Sequence, residues 1–200
     1  GEAPNLTWTD SGEAVTCTQQ GEQNTTQPEP SSIDAATFVD DDGSTYLIYG
    51  GGHIWLTKLG RDGQQIDGDW WENNASNYHH LANGPQITPE GDPSEEDQWI
   101  EAAYLYKKGE FYYLFVNWYA CCNGADSTYE IRMGRSLSVT GPFVDHNGVD
   151  LKEGGGKLLL DRSSGYIGPG HPAIFEYTSR AAGNKTEILS FHHYPAAGSP

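Results

Sequence analysis

Three ionisable residues sit where an ionisable group is costly unless it is paired, hydrogen-bonded or used. Glu101 is the one carboxylate in Gln98–Tyr106, an otherwise apolar and aromatic strand that returns through a Lys107–Glu110 turn into Phe111–Val116. Asp34 is the single acid of the apolar strand Ser32–Val39, and His171 is the second residue of the run Gly170–Phe175. The structural reading of Glu101 is an acid that holds a neighbouring strand; the functional one is proton transfer. Two carboxylates across a polar cleft are the minimum for glycoside hydrolysis. One of them must stay protonated to serve the leaving oxygen, which calls for an apolar setting or a nearby negative charge. Glu101, flanked by Trp99, Ile100 and Tyr104, has the more apolar setting, and Asp34 supplies the charge. Trp55, Trp70, Trp71 and Trp118 offer faces on which sugar rings could stack, with core packing as the competing role.

These residues recur within a common grammar of strand, turn and strand. Ser32–Val39 is followed by the Asp40–Gly43 turn, then by Thr45–Gly50 and His53–Leu59. The pattern returns at Glu101, with Thr128–Gly134 as third strand and Val139–Phe143 as an edge element. It begins again at His171, turns near Ala182–Asn184 and returns through Glu187–His192. The anchors Asp34, Glu101 and His171 are separated by 67 and 70 residues. Units of several antiparallel strands repeating every ~40–70 residues predict a β-propeller, whose innermost strands share one axis. The three anchors are therefore expected to converge. Asn5–Asp10 reads as an outer strand, and a polar loop runs on to Pro30.

Composition agrees with an all-β chain. Among 200 residues, 25 are glycine and one is methionine, and short β-rich runs lie between Gly, Pro, Asn and Asp clusters. A net charge of -17 excludes a nucleic-acid partner, whose phosphates need a basic footprint, and disfavours anionic membranes. A neutral sugar chain meets no such objection. No apolar run approaches the ~18–20 residues of a membrane span. The chain opens on Gly1, and sequons at Asn5, Asn24, Asn74 and Asn184 point to a secreted, extracellular glycoprotein. Cys17, Cys121 and Cys122 lack metal-site spacing; the adjacent pair is either a vicinal disulfide or two thiols. The pairs His79-His80 and His192-His193 lack a third ligand at a sensible spacing and read as packing or surface residues. No phosphate-binding loop and no Gly-x-Ser-x-Gly elbow is present.

Several runs resemble the arabinanase branch of glycoside hydrolase family 43, five-bladed propellers that cut arabinan with inversion. They are Ser32–Ala36 with Val39–Gly43, Trp99–Tyr104, Phe111–Val116, Cys121–Tyr129, Val139–Asp145 and Gly168–Pro172. The resemblance covers most of residues 30–195 and implies that residues 1–200 form one partial propeller domain, from the end of blade two to part of blade five. It implies that Glu101 is the general acid, that Asp34 orients it and raises its pKa, and that His171 lies beside a hydrated calcium ion in the channel. The family's general base is an aspartate of the first blade, expected on a segment or second chain that supplies the missing blades. Ala35 and Ala103 replace a usual proline, and Pro172 a frequent asparagine. The compact Gly50-Gly51-Gly52-His53 loop at the channel mouth bears on endo or exo attack. His53 and Trp118 are assigned to substrate binding. The implied activity is hydrolysis of α-1,5-linked arabinan or its oligosaccharides. The alternatives are an exo-acting arabinofuranosidase or β-xylosidase of the same family, and a non-catalytic glycan-binding propeller fragment.

Overall fold

A computed structural model describes residues 7, 10, 12, 15, 31–61, 63, 66, 75–85, 99–163, 165–179 and 183–196. Among them the chain is all-β, with short 3-10 turns. The first sheet has the order β1(Ala36–Val39), β2(Thr45–Tyr49), β3(His53–Lys58), β4(Tyr78–Asn83). The second has β5(Ile100–Lys108), β6(Phe111–Trp118), β7(Glu130–Ser136), β8(Lys157–Leu160). A long hairpin, β9(Tyr166–Thr178) and β10(Lys185–Pro195), makes the third. Every pairing is antiparallel between chain neighbours. The first strands also neighbour one another, β1 against β5 and β5 against β9. This is the succession of up-and-down sheets expected of propeller blades.

Alternation explains the packing. Ile48, Ile54, Leu56 and Leu81 of the first sheet meet Ile100, Leu105, Leu114 and Val116 of the second in one core, closed by Phe143 and Leu151. The opposite face of the first sheet buries Leu47, Tyr49, Trp55, Leu59 and Tyr78, with Ile66 over them. Period-2 side-chain alternation sends neighbouring residues of β2 and β3 to the two sides. The sheets are tied at one end by Lys107, whose Nζ meets Asp40 Oδ1 at 2.7 Å and Asp41 Oδ2 at 2.8 Å. Tyr112 completes that cluster by donating to Asp40 Oδ2 at 2.6 Å.

Two expected elements differ. Val139–Phe143 is a turn and loop whose Phe143 plugs the core, and the fourth strand is Lys157–Leu160 instead. The fourth strand of the first sheet, Tyr78–Asn83, contains the His79-His80 pair, and His80 stacks on Trp55 with centroids 4.8 Å apart. Both histidines are packing residues, as their spacing suggested. The expected strand at Asn5–Asp10 and the sequons at Asn5, Asn24 and Asn74 fall largely outside the described residues. Asn184 is exposed, in the turn joining β9 and β10.

The recurring anchor has a backbone cause that shifts its register. Asp34, Ala102 and His171 have φ values of 54°, 53° and 50°. Each stands two residues before the pair that starts or resumes its hairpin ladder: Ala36 with Ile48, Tyr104 with Phe115, Ala173 with Ser190. In β5 and β9 the left-handed residue lies within a bulge. Asp34, Ala102 and His171 are therefore the equivalent residues, and Glu101 stands one place earlier than the sequence alignment of anchors put it. A bulge inserts one residue and re-aims a side chain, which is why counting along the sequence misplaced the equivalence. Left-handed backbone costs roughly 1–2 kcal/mol per non-glycine residue. One fully buried Ile or Leu contributes about 1.5–3 kcal/mol, so the core between the sheets readily sustains all three.

Candidate active site

The bulge at the head of β5 explains how a carboxylate survives in an apolar strand. Glu101 is half-buried, and both its oxygens accept hydrogen bonds. Trp99 Nε1–H donates to Oε2 at 2.7 Å, and the Tyr129 hydroxyl donates to Oε1 at 2.8 Å. No cation pairs with it among the described residues. Glu130, the other acid of the second sheet's interior, differs on that point. Its Oε1 meets Arg132 Nε at 2.6 Å, and that guanidinium also lies over Trp118 and donates to the Gly156 carbonyl. Glu130 is a neutralised structural acid. Glu101 is solvated by neutral donors and keeps its charge chemistry available.

Asp34 and His171 arrive beside it, as the shared axis predicted. Asp34 is held above the ordinary carboxylate range, first by burial and then by the negative charge of Glu101. His171, the Ala102 N–H, which hydrogen-bonds to Asp34, and His192 pull the other way. The left-handed turn at Ala102 thus gives the residue after the acid an N–H that binds the neighbouring aspartate. Two like charges side by side resist ionising together, the arrangement that lets one carboxyl of a pair act as an acid.

His171 is positioned through its backbone. Asn117, fully buried and opposite Glu101 in the β5–β6 ladder, accepts from His171 N at 2.9 Å. Its amide donates to the carbonyls of Glu130 at 3.0 Å and Pro169 at 3.1 Å. One side chain therefore joins β6, β7 and β9. The His171 and His192 rings have centroids 6.3 Å apart, and His192 also lies parallel to Tyr129 at 6.3 Å. Burial, followed by the neighbouring His171, pushes His192 below the ordinary imidazole range.

Tyr129 itself is 3 % exposed, and burial followed by the charge of Glu101 keeps its phenol protonated well beyond the usual range. It therefore keeps its hydrogen at every working pH. A side chain at Gly170 would land inside the Tyr129 ring, so the Gly168-Pro169-Gly170 run lets β9 lie flush against it. Tyr129 was visible in the sequence only as one aromatic of a strand. Trp99 was likewise read as the apolar setting of Glu101, and no spacing rule marks either as a donor.

His53 lies one step away. Its Nδ1 is 2.7 Å from Asn83 Oδ1, and the Asn83 amide nitrogen donates to the Lys152 carbonyl at 2.7 Å. A carbonyl only accepts, so the Asn83 oxygen faces His53 and Nδ1 carries the hydrogen. That bond fixes the orientation of the His53 ring. The preceding loop touches the site: Gly52 N donates to the Ile100 carbonyl at 2.8 Å, and a Cβ on Gly51 would come within 2.7 Å of Trp99 Cζ2. Trp118 does not fit its assignment as a stacking face. It is 5 % exposed, inside the core, with Arg132 covering its ring at 4.3 Å. Its run of apolar neighbours buries it where the sequence suggested display. Trp55 is buried too, and Trp70 and Trp71 lie outside the described residues.

Cys121 and Cys122 are disulfide-bonded to each other. Among the described residues no group of three or more His, Cys, Asp or Glu gathers as a cation cage. An imidazole pair and one carboxylate hydrogen-bonded to Ala102 make a poor set for calcium, which selects six to eight oxygens.

The pattern of the family described as "Glycosyl hydrolases family 43" matches residues 2–196. An extracellular exo-α-(1→5)-L-arabinofuranosidase of Cellvibrio japonicus is 30 % identical over 98 % of this chain and 52 % of its own. An extracellular endo-α-(1→5)-L-arabinanase of Bacillus subtilis is 32 % identical over 82 % of this chain and 44 % of its own. The structure of a Cellvibrio cellulosa α-L-arabinanase complexed with arabinohexaose superposes with a TM-score of 0.75, at 29 % identity, covering 98 % of this chain and 57 % of that one. The chain thus spans about half the length of the curated relatives it matches. With a bulge-mounted acid, a neighbouring aspartate and a histidine drawn together by three successive sheets, and with a match across nearly its whole length, the chain belongs to glycosyl hydrolases family 43.

Proposed function

We propose that this chain carries the acid half of an inverting hydrolysis of α-1,5-linked arabinan or arabino-oligosaccharides. The observation that carries the reading is Glu101, a carboxyl with no cation partner among the described residues, held at both oxygens by neutral donors beside Asp34. In this reading the O–H bond of Glu101 breaks as its proton passes to the glycosidic oxygen. The bond from that oxygen to the anomeric carbon cleaves, and its electron pair stays on the oxygen. Water attacks the anomeric carbon from the opposite face, and a base takes the water's proton. Glu101 ends as a carboxylate that accepts from Trp99 and Tyr129. Asp34 resists the simultaneous ionisation of the pair, and His171 and His53 offer polar contacts to sugar hydroxyls. The base is assigned to no described residue.

Relatives bear both exo and endo names, and cleavage of the α-1,5 arabinan linkage is common to those names. A net charge of -17 suits a neutral polysaccharide. Secretion accords with relatives described as extracellular. A calcium ion beside His171 stays outside the mechanism. Glu101→Gln tests the assignment: turnover of linear arabinan should fall by roughly 10²–10⁴-fold, the usual worth of a general acid, with arabino-oligosaccharide binding retained. Undiminished turnover in that variant removes Glu101 from the reaction.

A further inference from the structure

The two donors on Glu101 are chemically unequal, and the difference has a consequence for the proton. An indole N–H can only donate, whereas a phenolic hydroxyl can donate or accept. Trp99 Nε1 is 2.7 Å from Glu101 Oε2, and the Tyr129 hydroxyl is 2.8 Å from Oε1. An oxygen that carries the acid proton is a weak acceptor, so a proton on Oε2 would weaken the indole bond. A proton on Oε1 leaves Oε2 a carbonyl-type acceptor, so the indole bond persists, weaker than on the carboxylate, and the Tyr129 hydroxyl oxygen can accept from the new O–H. We propose that Trp99 is a positioning residue that assigns the transferable proton of Glu101 to Oε1, a role that rests on reading Glu101 as the proton donor.

The indole is held for this. Its ring lies against the Gly51–Gly52 loop of the first sheet, where a Cβ on Gly51 would sit 2.7 Å from Cζ2 and 3.2 Å from Ile33 Cγ2. Its carbonyl accepts from Tyr119 N at 3.1 Å, so backbone and ring are both fixed. Trp99 as a whole is nevertheless 38 % exposed, so it stands between solvent and the acid. When the proton leaves Oε1 for the glycosidic oxygen, the carboxylate left behind accepts fully from both donors. The indole thus favours the product of the transfer as well as the oxygen it starts from.

Trp99→Phe keeps a ring against the glycine loop and deletes the N–H. On linear arabinan kcat should fall about tenfold, a fraction of the whole general-acid effect. On 4-nitrophenyl α-L-arabinofuranoside, whose leaving group departs without a proton, the loss should be no more than about twofold. The basic limb of the kcat/KM profile on arabino-oligosaccharides should move to higher pH. Equal losses on both substrates with an unmoved limb overturn the proposal. If Glu101→Gln still cleaves arabinan, the proton-donor reading fails with it. If Glu101→Gln is silent but Trp99→Phe matches the parent, only the role of Trp99 fails. A readout that needs no turnover covers a Trp99→Phe chain that misfolds or a preparation that is inactive. In the parent protein the Trp99 indole proton resonance should move with pH through a carboxyl ionisation, and in Glu101→Gln that movement should vanish. A pH-independent indole resonance in the parent overturns the assignment.

Discussion

At Asp34, burial and the adjacent charge of Glu101 favour the protonated carboxyl, while His171, the Ala102 N–H and His192 favour the ionised one. The first pair wins, so the folded carboxyl titrates above its ordinary value of 3.8. Below that value Asp34 is protonated whether the chain is folded or not, and it costs the fold nothing. As pH rises through it, the unfolded chain ionises first and stability is lost, fully so once the folded carboxyl has also ionised. Asp34→Asn, whose amide oxygen can still accept from Ala102, should therefore melt higher than the parent at pH 7 and level with it at pH 3. Thermal unfolding at the two pH values checks this, and an Asn variant no more stable at pH 7 would contradict it. Glu101 was legible in the sequence because a lone acid in an apolar strand needs an explanation. Trp99 and Tyr129 were not, because an aromatic in a blade strand is indistinguishable from packing until its N–H or O–H is seen on a carboxylate. Trp118 shows the converse: its indole suggested a sugar platform, and the fold spends it on the core.

At the scale of the elements, the bulge does what the sequence repeat only hinted at. In β5 and β9 it holds the left-handed residue at the head of the hairpin, and in β5 it aims the Ala102 N–H at Asp34 while leaving Glu101 between Trp99 and Tyr129. The strand–turn–strand grammar was readable because period-2 alternation and Asp-Gly or Gly-Glu turns announce hairpins. The extra residue was not, since a bulge has no composition of its own, and the anchors were aligned one place out. The fourth strands of both four-stranded sheets were also missed. Tyr78–Asn83 hides behind paired histidines, and Lys157–Leu160 is only four residues long. Asn117 holds the second and third sheets in register through three hydrogen bonds made by a fully buried amide. Asn117→Ala strands two carbonyls and one N–H, and should lower stability by about 3 kcal/mol in urea unfolding, since each buried orphan costs roughly 1–3 kcal/mol. A loss below about 1 kcal/mol would mean that water replaces the amide.

Over the whole molecule, successive sheets pack face to face, and the residues at the heads of their first strands meet. Asp34, Glu101 and His171 come from three sheets, so no single hairpin contains the site. For Asp34 and His171 that convergence was readable from the recurrence of polar anchors, because equivalent positions of a cyclic repeat face one axis, whereas Glu101 joins them from one place earlier through the β5 bulge. The net charge of -17 was readable too, and it accords with the neutral polysaccharide proposed as substrate. The central claim is that Glu101 supplies the proton to a departing sugar oxygen. Its most direct measurement compares Glu101→Gln with the parent on two substrates whose leaving groups differ in their need for that proton. Linear arabinan should lose turnover by roughly 10²–10⁴-fold, while 4-nitrophenyl α-L-arabinofuranoside, with its acidic leaving group, should lose about tenfold or less. Equal losses on the two substrates, or none on arabinan, would contradict the account.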